Sequence, residues 1–118
     1  HSFDEVLAHL PEAMKTEGFG VLTEVDVRET LKKKLGVDFR RYKILGACNP
    51  SFAHQALEAE LEVGLAMPCN FVVYEADDGK TAIAAIDPSK TMAAMGSEKL
   101  AALANEVTQK LQRVLDRL

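Results

Sequence analysis

Apolar residues recur at helical spacing from Phe3 through Leu7 and Leu10 to Met14, the pattern of a helix with one buried stripe. Ser2 followed three positions on by Glu5 is a capping box, so this helix is predicted to start at Phe3. Pro11 lies inside the pattern, where it removes the hydrogen bond to the Leu7 carbonyl and predicts a kink. Gly18 supplies the stop. Phe19 to Val25 reads as a strand, with Phe19, Val21 and Val25 on one face and Leu22 on the other. A second capping box, Asp26 with Glu29, opens a short amphipathic helix on Val27, Leu31 and Leu35 that Gly36 ends.

Phe39 to Cys48 has strand character at Phe39, Tyr42 and Ile44. Asn49 is a good N-cap and Pro50 a good first helical residue, which predicts a helix from Pro50 to about Leu61 with Phe52, Ala53, Ala56 and Leu57 on its apolar face. Val63 to Met67 reads as an apolar linker or short extended segment. Cys69 to Glu75 is the strongest strand signal, and Ala76-Asp77-Asp78-Gly79 is a hairpin turn. Thr81 to Ile86 returns as its partner, closed by Asp87-Pro88. Ser97 caps a last helix on Leu100, Leu103, Val107, Leu111, Val114 and Leu118. The order helix, strand, helix, strand, helix, strand, strand, helix, with short connections, predicts an α+β fold. It is read as one domain over 1–118, a two-layer sandwich of an antiparallel sheet with helices packed on one face. The chain opens at His1-Ser2, directly before a helix signal and without an initiator Met, which points to a first strand before residue 1.

Composition narrows the function. At 118 residues, 47% hydrophobic and 27% charged, the chain has ordinary globular composition. A net charge of -4 leaves no excess of cations for phosphate, so nucleic acid is not expected. The basic run Lys32-Lys33-Lys34, with Arg40, Arg41 and Lys43 downstream, reads as solvated surface. No run approaches the roughly 20 apolar residues of a membrane span. Two cysteines are no secreted disulfide framework and predict a cytoplasmic protein. No Gly-rich phosphate loop, nucleophile elbow or Ser-His-Asp arrangement is visible, and no cofactor is predicted.

The chemistry gathers in two signatures, Gly46-Ala47-Cys48-Asn49-Pro50 and Met67-Pro68-Cys69-Asn70. Cys48 closes one predicted strand and Cys69 opens another. If the strands are antiparallel neighbours, Cys48, Asn49, Pro50, Pro68, Cys69 and Asn70 share one sheet edge at a helix start. A thiolate there is stabilised by free amides and the helix dipole. Three readings of the thiols stand side by side. They are reduced, buried small hydrophobes; or a redox or reactive pair, which requires Cα atoms within about 7 Å; or part of a soft zinc or copper site with His54 as third ligand. His9 lies off the first helix's apolar stripe, Asp87 reads as a turn former, and Met92 and Met95 read as core or interface packing, with a ligand contact as the alternative.

These residues also carry a resemblance. Glu17-Gly18-Phe19 leading into Thr23-Glu24-Val25-Asp26, the run Leu31 to Phe39, Tyr42 to Pro50, Met67 to Tyr74 and Ala85-Ile86-Asp87-Pro88 resemble the bacterial and archaeal family catalogued as domain of unknown function 302. The resemblance covers nearly the whole chain. It implies a small α+β fold, usually with a strand before the first helix, and it implies no catalytic residues, because the family has no established activity. Pro11 departs from the usual uninterrupted first helix. In the wider family the Asn-Pro and the Pro of the second signature are more general than the cysteines. The expectation is a small ligand-binding or interaction domain, homodimeric through its alanine- and methionine-rich patches, that binds a small-molecule ligand at the Cys48-Asn49-Pro50/Pro68-Cys69-Asn70 edge. The alternative is a thiol-based redox or reactive-cysteine protein, or a soft-metal protein.

Overall fold

The structure is a computed structural model that describes residues 1–95 and 97–118. Four strands, β1 (Gly20–Asp26), β2 (Tyr42–Cys48), β3 (Cys69–Glu75) and β4 (Thr81–Ala85), form one sheet in the order β1-β2-β3-β4, each antiparallel to the next. Helices α1 (Phe3–Thr16), α2 (Val27–Leu35), α3 (Pro50–Ala59), α4 (Pro88–Thr91) and α5 (Glu98–Asp116) are joined by short connections, two of which contain 3-10 turns at Leu61–Ala66 and Ala93–Met95. The α+β class and antiparallel sheet are as the sequence predicts.

Local chemistry explains most boundaries. The Ser2 hydroxyl accepts from the Glu5 N–H at 3.2 Å, capping α1. The helix runs unbroken through Pro11. At its end Gly18 adopts φ +81°, its N–H bonds the Lys15 carbonyl, and the Phe19 N–H reaches back to Met14 at 3.0 Å. That is a Schellman ending, and glycine takes the left-handed position without a Cβ penalty. Asp26 caps α2 through the Glu29 N–H at 3.0 Å, and Gly36 ends it at φ +68°. Its predicted apolar stripe is not buried, for no residue of α2 is, and Leu35 lies open to solvent.

The main core lies between the sheet and two helices. Phe3, Val6, Leu10, Ala13 and Met14 of α1 meet Leu45 and Ala47 of β2, Cys69, Phe71 and Val73 of β3, and Val107, Leu111 and Val114 of α5. Burying a side chain such as Leu10 or Phe71 contributes about 1.5–3 kcal/mol. A second cluster joins Ala56 of α3, Val63, Met92, and Leu100 and Ala104 of α5.

Four details differ from prediction. The β1–β2 register pairs Val21 with Ala47 and then Thr23 with Gly46, so Leu22 is the extra residue of a β-bulge. The bulge flips the alternation: Val21 lies on the helix side of the sheet, whereas Val25 sits opposite Ile44 on the far side. β2 begins at Tyr42, not Phe39, because pairing with both neighbours starts only at Tyr42 and Lys43. The helix at Pro50 stops at Ala59, where Glu60 turns extended and its carboxylate caps the Glu62 N–H at 3.1 Å. The stretch read as an extended linker is therefore a 3-10 turn that buries Val63. Asp87-Pro88, read as a turn, opens the short helix α4, with the Asp87 carboxylate accepting from the Ser89 N–H and the Thr108 hydroxyl, each at 3.0 Å. The Ser89 hydroxyl, which also donates to this carboxylate, and then the Thr108 hydroxyl hold the Asp87 carboxyl below its ordinary range. Among the described residues, no helix is long and apolar enough to cross a membrane.

Candidate functional site

The two signatures meet. Ala47 pairs with Cys69 and Gly46 with Asn70, which sets the end of β2 beside the start of β3. Packing at this junction is close. A Cβ added to Gly46 would stand 2.2 Å from Thr23 Oγ1 and 2.6 Å from Pro68 Cγ, so only glycine lets Pro68 lie over the strand here.

An apolar cavity of about 250 Å³ opens beside this junction. Ala47, Cys48 and Cys69 supply its sheet side, and Asn49, Phe52, Ala53 and Ala56 its α3 side. Met67 and Pro68 flank it, Met92 with Leu103 and Val107 of α5 close another wall, and Phe19 and Leu22 reach it from the start of β1. Among the described residues, no charged side chain lines it. Of the six predicted site residues, Cys48, Asn49, Pro68 and Cys69 line the cavity. Pro50 and Asn70 do not: Pro50 is the exposed first residue of α3, and Asn70 is exposed on the sheet.

Asn49 has a structural task. Its Oδ1 accepts from the Phe52 N–H at 3.4 Å, capping α3, and its Nδ2 donates to the Glu17 carbonyl at 3.3 Å. Glu17 is itself anchored, accepting from Arg113 Nε at 2.8 Å, and that bond holds its carboxyl below the ordinary carboxylate range. The amide of Asn49 thus ties the end of α1 to the start of α3.

The thiols depart from expectation. Cys69 pairs in register with Ala47 rather than with Cys48, so the two are not a cross-strand pair. Both are free. Burial, and secondarily the charge of Cys48, push the Cys69 thiol up to about 11. Desolvation by the core outweighs any gain from the nearby helix start, so the expected stabilised thiolate is not found at Cys69. The metal set fails at its third member: His54 is exposed on α3, with Nε2 3.1 Å from Glu58, and does not line the cavity. Among the described residues, no three of His, Cys, Asp and Glu gather as a metal site.

The sequence reading missed Leu22, Phe19, Met92, Leu103 and Val107 as cavity residues. Met92 reads in the sequence first as core or interface packing, with a ligand contact as the alternative, and it is buried. The bulge that brings Leu22 to the cavity leaves no mark in the hydrophobic pattern.

A family model described as "Domain of unknown function DUF302" matches residues 1–118. The chain belongs to this family. It is similar to a solved DUF302 structure, described as an uncharacterized conserved protein from Bacillus stearothermophilus, at 36% identity and a TM-score of 0.92, over 99% of this chain and 91% of that one. Among curated proteins, none matches the chain.

Proposed function

We propose that this DUF302 domain is a binding module for a small, uncharged, mainly apolar molecule held in the cavity beside the β2–β3 junction. The observation that carries the reading is the cavity itself. Ligand sites are concave and mainly apolar with few polar groups, and about 250 Å³ lies open here against an apolar lining. An engineered apolar cavity of about 150 Å³ suffices for benzene. Drug-sized ligand sites start at about 300 Å³, so the occupant is small. A charged occupant would lose its hydration with no partner to replace it. Reactive-thiol chemistry gains no support from Cys69, which is buried and neutral at physiological pH.

The test is a titration of neutral fragments, benzene and cyclohexane among them, into protein carrying ¹³C-methyl methionine. The Met67 and Met92 methyls are expected to shift and the Met14 methyl, buried in the main core, to stay still. Ala53→Phe, which fills the cavity, is expected to abolish the shifts. No shift with any fragment, or undiminished shifts in A53F, overturns the reading.

A second observation favours self-association. On the sheet face away from the main core, Val25, Ile44, Val72 and Ala84 form one cross-strand row, and Tyr42 stacks on Tyr74 at 5.3 Å beside it. Within the alanine- and methionine-rich stretches that suggested a homodimer, Met92 and Ala104 are buried while Ala94 and Ala102 are exposed. The homodimer reading rests on the sheet face.

A further inference from the structure

The cavity is marked by sulfur as well as by hydrocarbon. The chain has two cysteines and four methionines, and Cys48, Cys69, Met67 and Met92 all line this one space. The rings of Phe19 and Phe52 line it too. Sulfur makes favourable contacts with aromatic rings, often at the ring edge, and rings pair favourably with rings. An aliphatic occupant of equal size gains neither. Polar recognition is meagre by comparison. The one polar side chain other than the thiols, Asn49, already uses its Oδ1 on the Phe52 N–H and its Nδ2 on the Glu17 carbonyl.

We propose that the occupant of the cavity is a neutral aromatic compound of one ring or two fused rings, selected over aliphatic molecules of the same shape by the sulfur atoms of Met67, Met92, Cys48 and Cys69. This rests on the cavity being the binding site. Size sets the upper bound: about 250 Å³ exceeds the roughly 150 Å³ that admits benzene, and leaves room for a substituent or a second ring. Position adds to the selection. Met67 is half-buried where the chain enters β3 and Met92 is buried on the α4 side. The two methionines therefore border the cavity from two separate elements.

The test uses two probes of matched shape, toluene and methylcyclohexane, titrated into the full ¹⁵N-labelled chain. The backbone amides of Ala53 and Cys69 report on the cavity and that of Val114 serves as a reference. Toluene is expected to bind at least about threefold more tightly. In the M67L/M92L variant, which keeps volume and apolarity but removes two sulfurs, the preference is expected to fall toward unity while both probes still bind. Should that variant fail to fold, Met67→Leu alone carries the same comparison, and the parent protein decides the main point in any case. Equal affinity for the two probes in the parent overturns the aromatic assignment while leaving the cavity as a binding site. A preference that survives loss of the sulfurs overturns their role in selection. If neither probe shifts the cavity amides, the binding-site reading falls with the assignment.

Discussion

Asn49 donates its side-chain N–H to the carbonyl of Glu17, 3.3 Å away and 32 residues earlier in the chain. The same amide caps α3 through the Phe52 N–H, and its nitrogen lies close enough to Gly18 that a Cβ there would stand 2.9 Å from it. The Asn-Pro signature is thus explained by construction. Asn49 opens α3, locks the end of α1, and in doing so fixes the cavity wall that Phe52 and Ala53 share. Losing an N-cap costs about 1 kcal/mol and a further hydrogen bond about the same. Asn49→Ala is therefore expected to lower unfolding stability by about 2 kcal/mol in urea titration, whereas Asn49→Ser, which keeps the cap alone, is expected to lose about half as much.

Gly46 offers a sharper test of the junction. Its missing side chain leaves room for Thr23 on one neighbouring strand and Pro68 above, and Pro68 also lines the cavity. Overpacking of a tight site typically costs 1–3 kcal/mol. Gly46→Ala is expected to destabilise by about that amount and to weaken fragment binding by displacing Pro68. Thr23→Ala removes the 2.2 Å contact but not the 2.6 Å one, so the double variant is expected to recover part of the loss. A double-mutant cycle in chemical denaturation would show this as a coupling between the two sites; strict additivity would mean that Thr23 is not what Gly46 accommodates.

The fold was legible because its signals are local. Ser2, Asp26, Asn49 and Ser97 each cap a helix as their spacing predicts, and Gly79 turns the β3–β4 hairpin at φ +81°. The meeting of Cys48-Asn49 with Pro68-Cys69 was legible too, since it follows from antiparallel neighbours. What escaped depends on register. One inserted residue at Leu22 moves Val25 to the other face of the sheet and brings Leu22 to the cavity, and no periodicity argument detects an insertion that only its partner strand reveals. The cavity's far wall escaped for another reason: Met92, Leu103 and Val107 are apolar residues in an apolar pattern, and a pattern reports that a side chain is buried without reporting that space remains beside it.

Cys69 makes a prediction at alkaline pH. Its thiol is raised from an ordinary 9.0 to about 11 in the folded chain, so the fold favours the protonated form. Below pH 9 the thiol is protonated in folded and unfolded chains alike. Between about 9 and 11 the unfolded chain releases the proton first, and stability falls; above 11 this contribution is gone. The parent is therefore expected to lose more stability across that window than Cys69→Ala does, with the other alkaline groups cancelling in the difference. Alkylation of Cys69 by iodoacetamide is expected to be slow and to keep accelerating toward pH 11. A rate that levels off near pH 9 would show Cys69 to be an ordinary, accessible thiol.

The open sheet face yields the last prediction, and its size sets the expected strength. Four strands at about 4.8 Å spacing and seven residues at about 3.3 Å rise span only about 19 by 23 Å. A stable interface buries about 800 Å² on each partner, more than this flat face alone provides. Phe39 and Val37 nearby are 42% and 46% exposed, and Phe39 packs against Tyr42 at 6.4 Å between ring centroids, so they extend the apolar area past the sheet edge. A homodimer formed here is therefore expected to be modest in affinity and to dissociate on dilution. Light scattering should give a mass that rises from the 12.9 kDa of one chain toward twice that value with concentration. Val25 is 44% exposed at the end of the apolar row, so Val25→Lys disturbs little of the core. That variant is expected to stay at the single-chain mass and, at dilutions where the parent is also a single chain, to melt at the parent's temperature. A parent that remains at 12.9 kDa up to NMR concentrations, or a dimer indifferent to Val25→Lys, would remove this face as the interface.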